Sequence, residues 1–381
     1  MANSLAQSFS TLNYDVLYTM MEIAAPIYPT VVSKMMQTCH TLYRAGSKHL
    51  LNSDILLDKL PQLDSYILFV QAEGGLRHPL VKSLAIDCRL FKPSPEPGAL
   101  HPLISFSELL RKLPSVERLR IYHLHDIYAC LISALTYTTT LKRLTLSWAG
   151  SSGLAAFLAR LQSPLVSLEV SRSDTRRFGS LQLPLSALSP HSKTLRTLTM
   201  SCELTAAMDG SIPRFPRLHT LELHTTPAAN MLAIAFPNLR RINIRLPPRP
   251  WSLEPPWSQI KDTNQSPGAV WSSLEAVNGP IDDVHRYNLP CHVRKLVLEI
   301  PGVHRLCLLP TLLALHTPQK VSLTFLYGDL TNTRRVLPVF KQSAGWESVA
   351  ELEIELRPVL ERVSQLDDYL VRCLAHFRGL R

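Results

Sequence analysis

His123-Leu-His125-Asp126 sets two imidazoles two residues apart, on one side of a strand, which is the kind of pairing that can seed a metal site. No second cluster stands at ligand spacing, so the two are read as exposed or edge histidines, with no metal and no cofactor expected. Gly150-Ser-Ser-Gly153 precedes an apolar stretch from Leu154. A helix starting there could meet an anion at its N-terminus, and a simple turn is the plainer reading. The chain contains no Gly-x-x-x-x-Gly-Lys-Ser/Thr phosphate loop, no His-Glu-x-x-His and no Gly-x-Ser-x-Gly elbow. No residue is therefore assigned a catalytic role, and a non-catalytic protein is expected. The seven cysteines, at 39, 88, 130, 202, 291, 307 and 373, are scattered and never form Cys-x-x-Cys. That usage belongs to a reducing compartment and implies neither disulfides nor zinc.

The elements that would carry any function follow from length and pattern. A chain of 381 residues can bury a sizeable core, as two or three ordinary domains or as one elongated array. Hydrophobic content of 46% against 18% charge argues against general disorder. The first residues lack a basic segment leading into an apolar run, and no stretch approaches the roughly eighteen apolar residues of a membrane span. The expectation is a cytoplasmic or nuclear protein without a membrane partner. The net charge of +10 raises nucleic acid as a partner, but the cations are dispersed singly or in pairs such as Arg176-Arg177, Arg240-Arg241 and Arg334-Arg335. Without an aromatic-studded basic strip, no nucleic acid is expected.

From residue 80 onward one pattern returns: apolar-x-x-apolar-x-apolar, the spacing of a short strand with alternate side chains in a core. Clear copies are Val116 to Ile121, Leu141 to Leu146, Leu165 to Val170, Leu195 to Met200, Leu218 to Leu223 and Leu239 to Ile244. Their central residues, 119, 144, 168, 198, 221 and 242, are separated by 25, 24, 30, 23 and 21 residues. This matches the span of roughly 20 to 29 residues in leucine-rich repeats. Further copies run Val81 to Ile86, Val293 to Leu298 and Val349 to Ile354, with weaker ones near Leu274 and Val321. Between strands, Ala129 to Leu135, Leu154 to Leu161 and Val303 to Leu315 are apolar enough to pack behind them. One unit cannot cover its own apolar face, so neighbours must stack into a curved solenoid. Pro93-Ser-Pro-Glu-Pro-Gly98 and a Pro-rich insertion over 247–268 with Trp251 and Trp257 interrupt the array. The second reads either as a ligand-gripping loop or as a tolerated insertion. Helical spacing of Val359, Leu360, Val363, Leu366, Leu370 and Leu374 predicts a C-terminal capping helix over 358–381.

Near the start, Leu12, Val16, Leu17, Met20 and Met21 recur at near-helical spacing, and Val31, Val32, Met35, Met36, Cys39, Leu42 and Tyr43 continue the stripe after a break at Pro26 to Pro29. This predicts three short packed helices, too few for an independent core and so built to dock on something. Leu12-x-x-Asp15-x-Leu17 with Met36-x-x-Cys-x-x-Leu42-Tyr-x-Ala resembles an F-box, over about Leu12 to Leu51. Where that family usually has Pro after the first Leu, Asn13 stands here, a residue able to cap the helix that Pro would have started. The repeats are similar to the irregular leucine-rich repeats that follow many fungal F-boxes. They lack the standard Asn or Cys three residues past the last apolar position, where Leu124, Ala149, Ser173 and Thr226 stand.

The resemblance implies an α/β fold: an F-box-like module over 1–54, a helical linker over 55–79, a repeat solenoid over 80–357 and the cap. It implies a substrate-recognition subunit of a cullin-RING ubiquitin ligase of the SCF type, in which the F-box grips a Skp-type adaptor and through it a cullin. Adaptor contacts would fall on Leu12, Tyr14, Asp15, Val16, Leu17, Met20, Met21, Val32, Met35, Met36 and Leu42. An unidentified target protein would lie on the concave sheet, whose side chains follow from strand alternation. The chosen ones are Arg118, Arg120, Tyr122, Arg143, Thr145, Glu169, Thr199, Glu222, His224, Arg241, Asn243 and Arg245, with Arg143, Arg241 and Arg245 foremost. The alternative is a leucine-rich-repeat scaffold that works without a ligase.

Overall fold

The structure, a computed structural model, describes residues 13–25, 27–91, 101–150, 153–172, 182–206, 211–225, 227–246, 271–325 and 345–356. It divides into two compact units, Met1–Phe178 and Gly179–Arg381. The boundary falls inside the stretch read from the sequence as one array. Leu12, the Pro93 to Gly98 tract, the 247–268 insertion and the expected cap over 358–381 lie outside the described residues.

The first unit opens with three helices, α1 (Tyr14–Ala24), α2 (Pro29–Met36) and α3 (His40–Asn52). Asn13 caps α1, its side chain accepting the Asp15 N–H at 2.9 Å, and Pro29 starts α2 where its missing N–H costs nothing. Met21, Ala25, Val32, Met36, Leu42 and Leu50 close a small core between the helices, with Ile55 and Phe69 packed against it. The three helices thus share a small core to which Ile55 and Phe69 from the following segment contribute, and it consumes residues expected on the surface. Gly46 is what lets α3 approach, because a Cβ there would stand 2.3 Å from Met36 Cγ.

A two-residue strand β1 (Leu56–Leu57) and helix α4 (Leu60–Gln71) lead into β2 (Ser83–Asp87). Helix α5 (His101–Lys112), strand β3 (Arg118–Leu124), helix α6 (Ala129–Thr136), strand β4 (Arg143–Trp148), helix α7 (Leu154–Arg160) and strand β5 (Ser167–Arg172) then alternate. Strands β1 to β5 are all parallel and lie in chain order. Leu84, Leu119, Leu144 and Leu168 are register partners in successive strands, and each is at most 1% exposed.

The second unit repeats the plan. Strands β7 (Thr197–Met200), β9 (Thr220–Leu223), β10 (Arg241–Ile244), β11 (Ser273–Pro280), β12 (His292–Ile300), β13 (Lys320–Phe325) and β14 (Glu351–Leu356) form one parallel ladder. Leu198, Leu221, Ile242, Val277, Leu296, Val321 and Leu352 share one row of it. Behind the strands lie α8 (Ala229–Ala235) and two further helices, Ile281–Tyr287 and Leu309–His316. A separate parallel pair joins β6 (Gln182–Pro184) to β8 (Glu203–Thr205), which the apolar pattern did not reveal.

One device recurs between successive turns of both units. The carbonyl just before a strand accepts two N–H groups from the following turn: Lys82 from Glu117 and Arg118, Glu117 from Lys142 and Arg143, His219 from Arg240 and Arg241, and Gln319 from Ala350 and Glu351. Buried polar tips do the same, since an unpaired one would cost stability. Tyr128 donates to the Phe91 carbonyl at 3.0 Å, Trp271 to Phe236 at 2.9 Å and Tyr287 to Pro227 at 2.7 Å. Gly279 takes a core position in β11 at φ 149°, where a Cβ would stand 2.2 Å from the Ile244 carbonyl oxygen, so no larger residue fits.

Candidate docking surfaces

In the helical module the residues expected at the adaptor separate into two sets. Met21, Val32, Met36 and Leu42 are buried in the module's own core, and Leu17 and Met35 are half-buried beside it. Placing them on the docking surface is corrected: their apolar character is spent on holding the three helices together. Tyr14, Asp15, Val16 and Met20 are exposed.

Exposed apolar surface goes beyond that set. Val16 and Met20 are each 52% exposed and Ile23 is 64% exposed. At about 100° per residue the three lie within about 60° of one another around α1, on a face apart from the one carrying Met21. Ile27, Tyr28 and Val31, all exposed, continue the apolar run through the turn into α2. Ile23, Ile27 and Tyr28 escaped the sequence reading, which followed one helical stripe and passed over the break from Pro26 to Pro29. The missed signal was that α1 carries apolar residues over a wider arc than one core contact needs.

In the first unit the expected concave arginines are not equivalent. Asp54, just past α3, lies 3.1 Å from Arg120 and 3.7 Å from Arg118 and also accepts from Ser83. Thr145 donates to Glu169 at 3.1 Å. Arg143 is exposed and has no ion-pair partner among the described residues. Tyr122 is half-buried. His123 and His125 do not converge. The ladder shifts register between Ile121 and Leu124, His123 adopts φ 57° and turns Nδ1 to Asp87 at 3.1 Å, while His125 Nδ1 takes the Ile127 N–H. Asp87 is held below the usual carboxylate range by the Arg89 guanidinium, its backbone N–H and His123, which outweigh the raising effect of burial. The Asp126 carboxylate stands where a Cβ on Gly150 or on Gly153 would meet it at 2.5 Å, so an acidic group already faces the place considered for an anion.

In the second unit Arg241 and Arg245 are exposed but engaged. Arg241 donates to Glu275 at 2.8 Å and Arg245, just past the end of β10, to Glu299 of β12 at 2.8 Å. Hydrogen bonding between the first pair raises the Arg241 guanidinium and lowers Glu275. Glu222 lies 3.5 Å from His224, and Lys320 pairs with Glu351. Thr199, Glu222 and Asn243 are register partners and half-buried. Glu275 and Arg294 were not anticipated, because each follows the first apolar residue of its repeat, a position strand alternation does not assign to the concave row.

A groove of about 590 Å³ opens on this unit, bordered by Arg241, Arg294, Lys295 and Lys320, with Ala276 and Val297 between them. Its walls carry both signs of charge, so it suits a polar partner better than an apolar one.

No family model matches the chain, and no curated protein matches it. Among solved structures it is similar to the crystal structure of a Bacteroides fragilis protein, at 10% identity over 86% of this chain and 80% of that one, with a TM-score of 0.31. So loose a likeness carries no argument about function. No helix among the described residues is long and apolar enough to cross a membrane.

Proposed function

We propose that the protein is a non-catalytic recognition subunit of an SCF-type cullin-RING ubiquitin ligase. Its helical module docks on a Skp-type adaptor and thereby a cullin, and its parallel sheets hold a target protein. The observation that carries this reading is the exposed apolar stripe Val16, Met20 and Ile23 on a helix capped by Asn13. A small module already closed by its own core has no internal use for that stripe, and apolar surface of this kind is covered by a partner. Three short helices around Met21, Val32 and Met36 also agree with the F-box resemblance of Leu12 to Leu51. The contribution to catalysis is proximity: a bound target raises the effective concentration of its lysines near a charged ubiquitin carrier.

The test is purification of the tagged full chain from cells, followed by detection of the adaptor and cullin. Both should co-purify in stoichiometric amount. Their absence, with the chain folded and other proteins bound, would favour a ligase-independent scaffold.

A further inference from the structure

The groove on the second unit holds two cations, Arg294 and Lys295, that have no ion-pair partner among the described residues. Arg241, Ala276, Lys295, Lys320 and Glu351 are successive register partners across β10 to β14, one row of side chains about 4.8 Å apart from strand to strand. Arg241 is matched by Glu275, and Lys320 by Glu351 with Glu353 at 3.8 Å. Arg294 and Lys295 lie within ion-pair distance of no carboxylate among the described residues. Four cations therefore face two lining carboxylates, Glu275 and Glu351. Ala276, the smallest side chain in the row, leaves the hollow between Arg241 and Lys295.

We infer that this groove binds an extended acidic peptide segment. Asp or Glu side chains would pair with Arg294 and Lys295. Ala276 and Val297 give the aliphatic parts of the segment an apolar floor. A peptide fits better than a nucleic acid, because no aromatic side chain among the lining residues offers a base a stacking surface. This deepens the proposed function by naming the target chemistry, yet binding of such a segment requires no adaptor.

The experiment is selection of a random twelve-residue phage-displayed peptide library on the full chain without adaptor at physiological salt. Peptides rich in Asp and Glu should be enriched. A selected peptide, labelled and titrated, should bind at least about tenfold more weakly to the Arg294→Gln, Lys295→Gln double variant. Lys193→Gln with Arg217→Gln, which removes the same charge from exposed positions elsewhere in the unit, should bind as the unaltered chain does. Melting temperatures of both variants should equal that of the parent. Absence of acidic enrichment, equal loss in both double variants, or equal displacement of the peptide by single-stranded DNA of the same charge would overturn the inference. Loss of adaptor binding alone would leave it standing.

Discussion

Arg77 donates to the Tyr43 hydroxyl at 2.5 Å, joining α3 to a residue 34 positions later in the chain. The guanidinium is buried, lies 4.9 Å from the Tyr43 ring centre and 4.2 Å from that of Phe69, and donates to the Phe69 carbonyl and to Glu73. It thus fastens the helical module to α4, and with it the module's orientation on the first unit. Arg77→Met keeps the apolar stem but leaves the Tyr43 hydroxyl and the Phe69 carbonyl without their donor. The expected cost is about 1–3 kcal/mol in urea unfolding, against about 0.5–1.5 kcal/mol for Tyr43→Phe. Equal stability of Arg77→Met and the parent would show that the clamp holds nothing.

The alternation of buried and open positions can be checked at one strand. Leu198 is fully buried and Thr199, its neighbour, is half-buried on the opposite face. Leu198→Ala should cost about 2–5 kcal/mol and Thr199→Ala under about 1 kcal/mol. Similar losses in thermal melts would contradict the strand register.

A pH dependence follows from Asp283, whose carboxylate accepts the Leu246 N–H at 2.9 Å. Burial pushes this carboxyl up from its ordinary 3.8 to about 6, against the lowering influence of that hydrogen bond and of Arg286. Between those two values the folded chain keeps a proton that the unfolded chain has released, so this group's contribution to stability falls as pH rises. Asp283→Asn retains an acceptor for Leu246 and cannot ionise. The variant should gain melting temperature over the parent at pH 7 and lose that advantage near pH 4. A difference independent of pH would exclude the titration.

The strands were the most legible part of the sequence, because a core row recurring as Leu119, Leu144 and Leu168 fixes both period and face. The caps were legible too: Asn13 does what its chemistry suggests. What periodicity cannot separate is an apolar residue buried within its own module from one left open for a partner. Met20 and Met21 are adjacent and chemically identical, yet one is 52% exposed and the other 0%. Charge pairing was equally hidden. Arg120 and Arg245 looked alike on the concave row, and their partners Asp54 and Glu299 come from distant turns that only the folded register brings near. Short strands such as β1 and β6 carry too few residues to show a period.

The central claim is that the open stripe on α1, and not the buried one beside it, is the adaptor contact. The most direct measurement is adaptor co-purification with a Val16→Asp, Met20→Asp, Ile23→Asp variant alongside its melting temperature. The account predicts an unchanged melt and loss of the adaptor, since the new charges stand in water until a partner buries them. Met21→Asp, in contrast, should lower the melt by placing a charge in the core. Recovery of the adaptor at the parent's level by the folded triple variant would contradict the account.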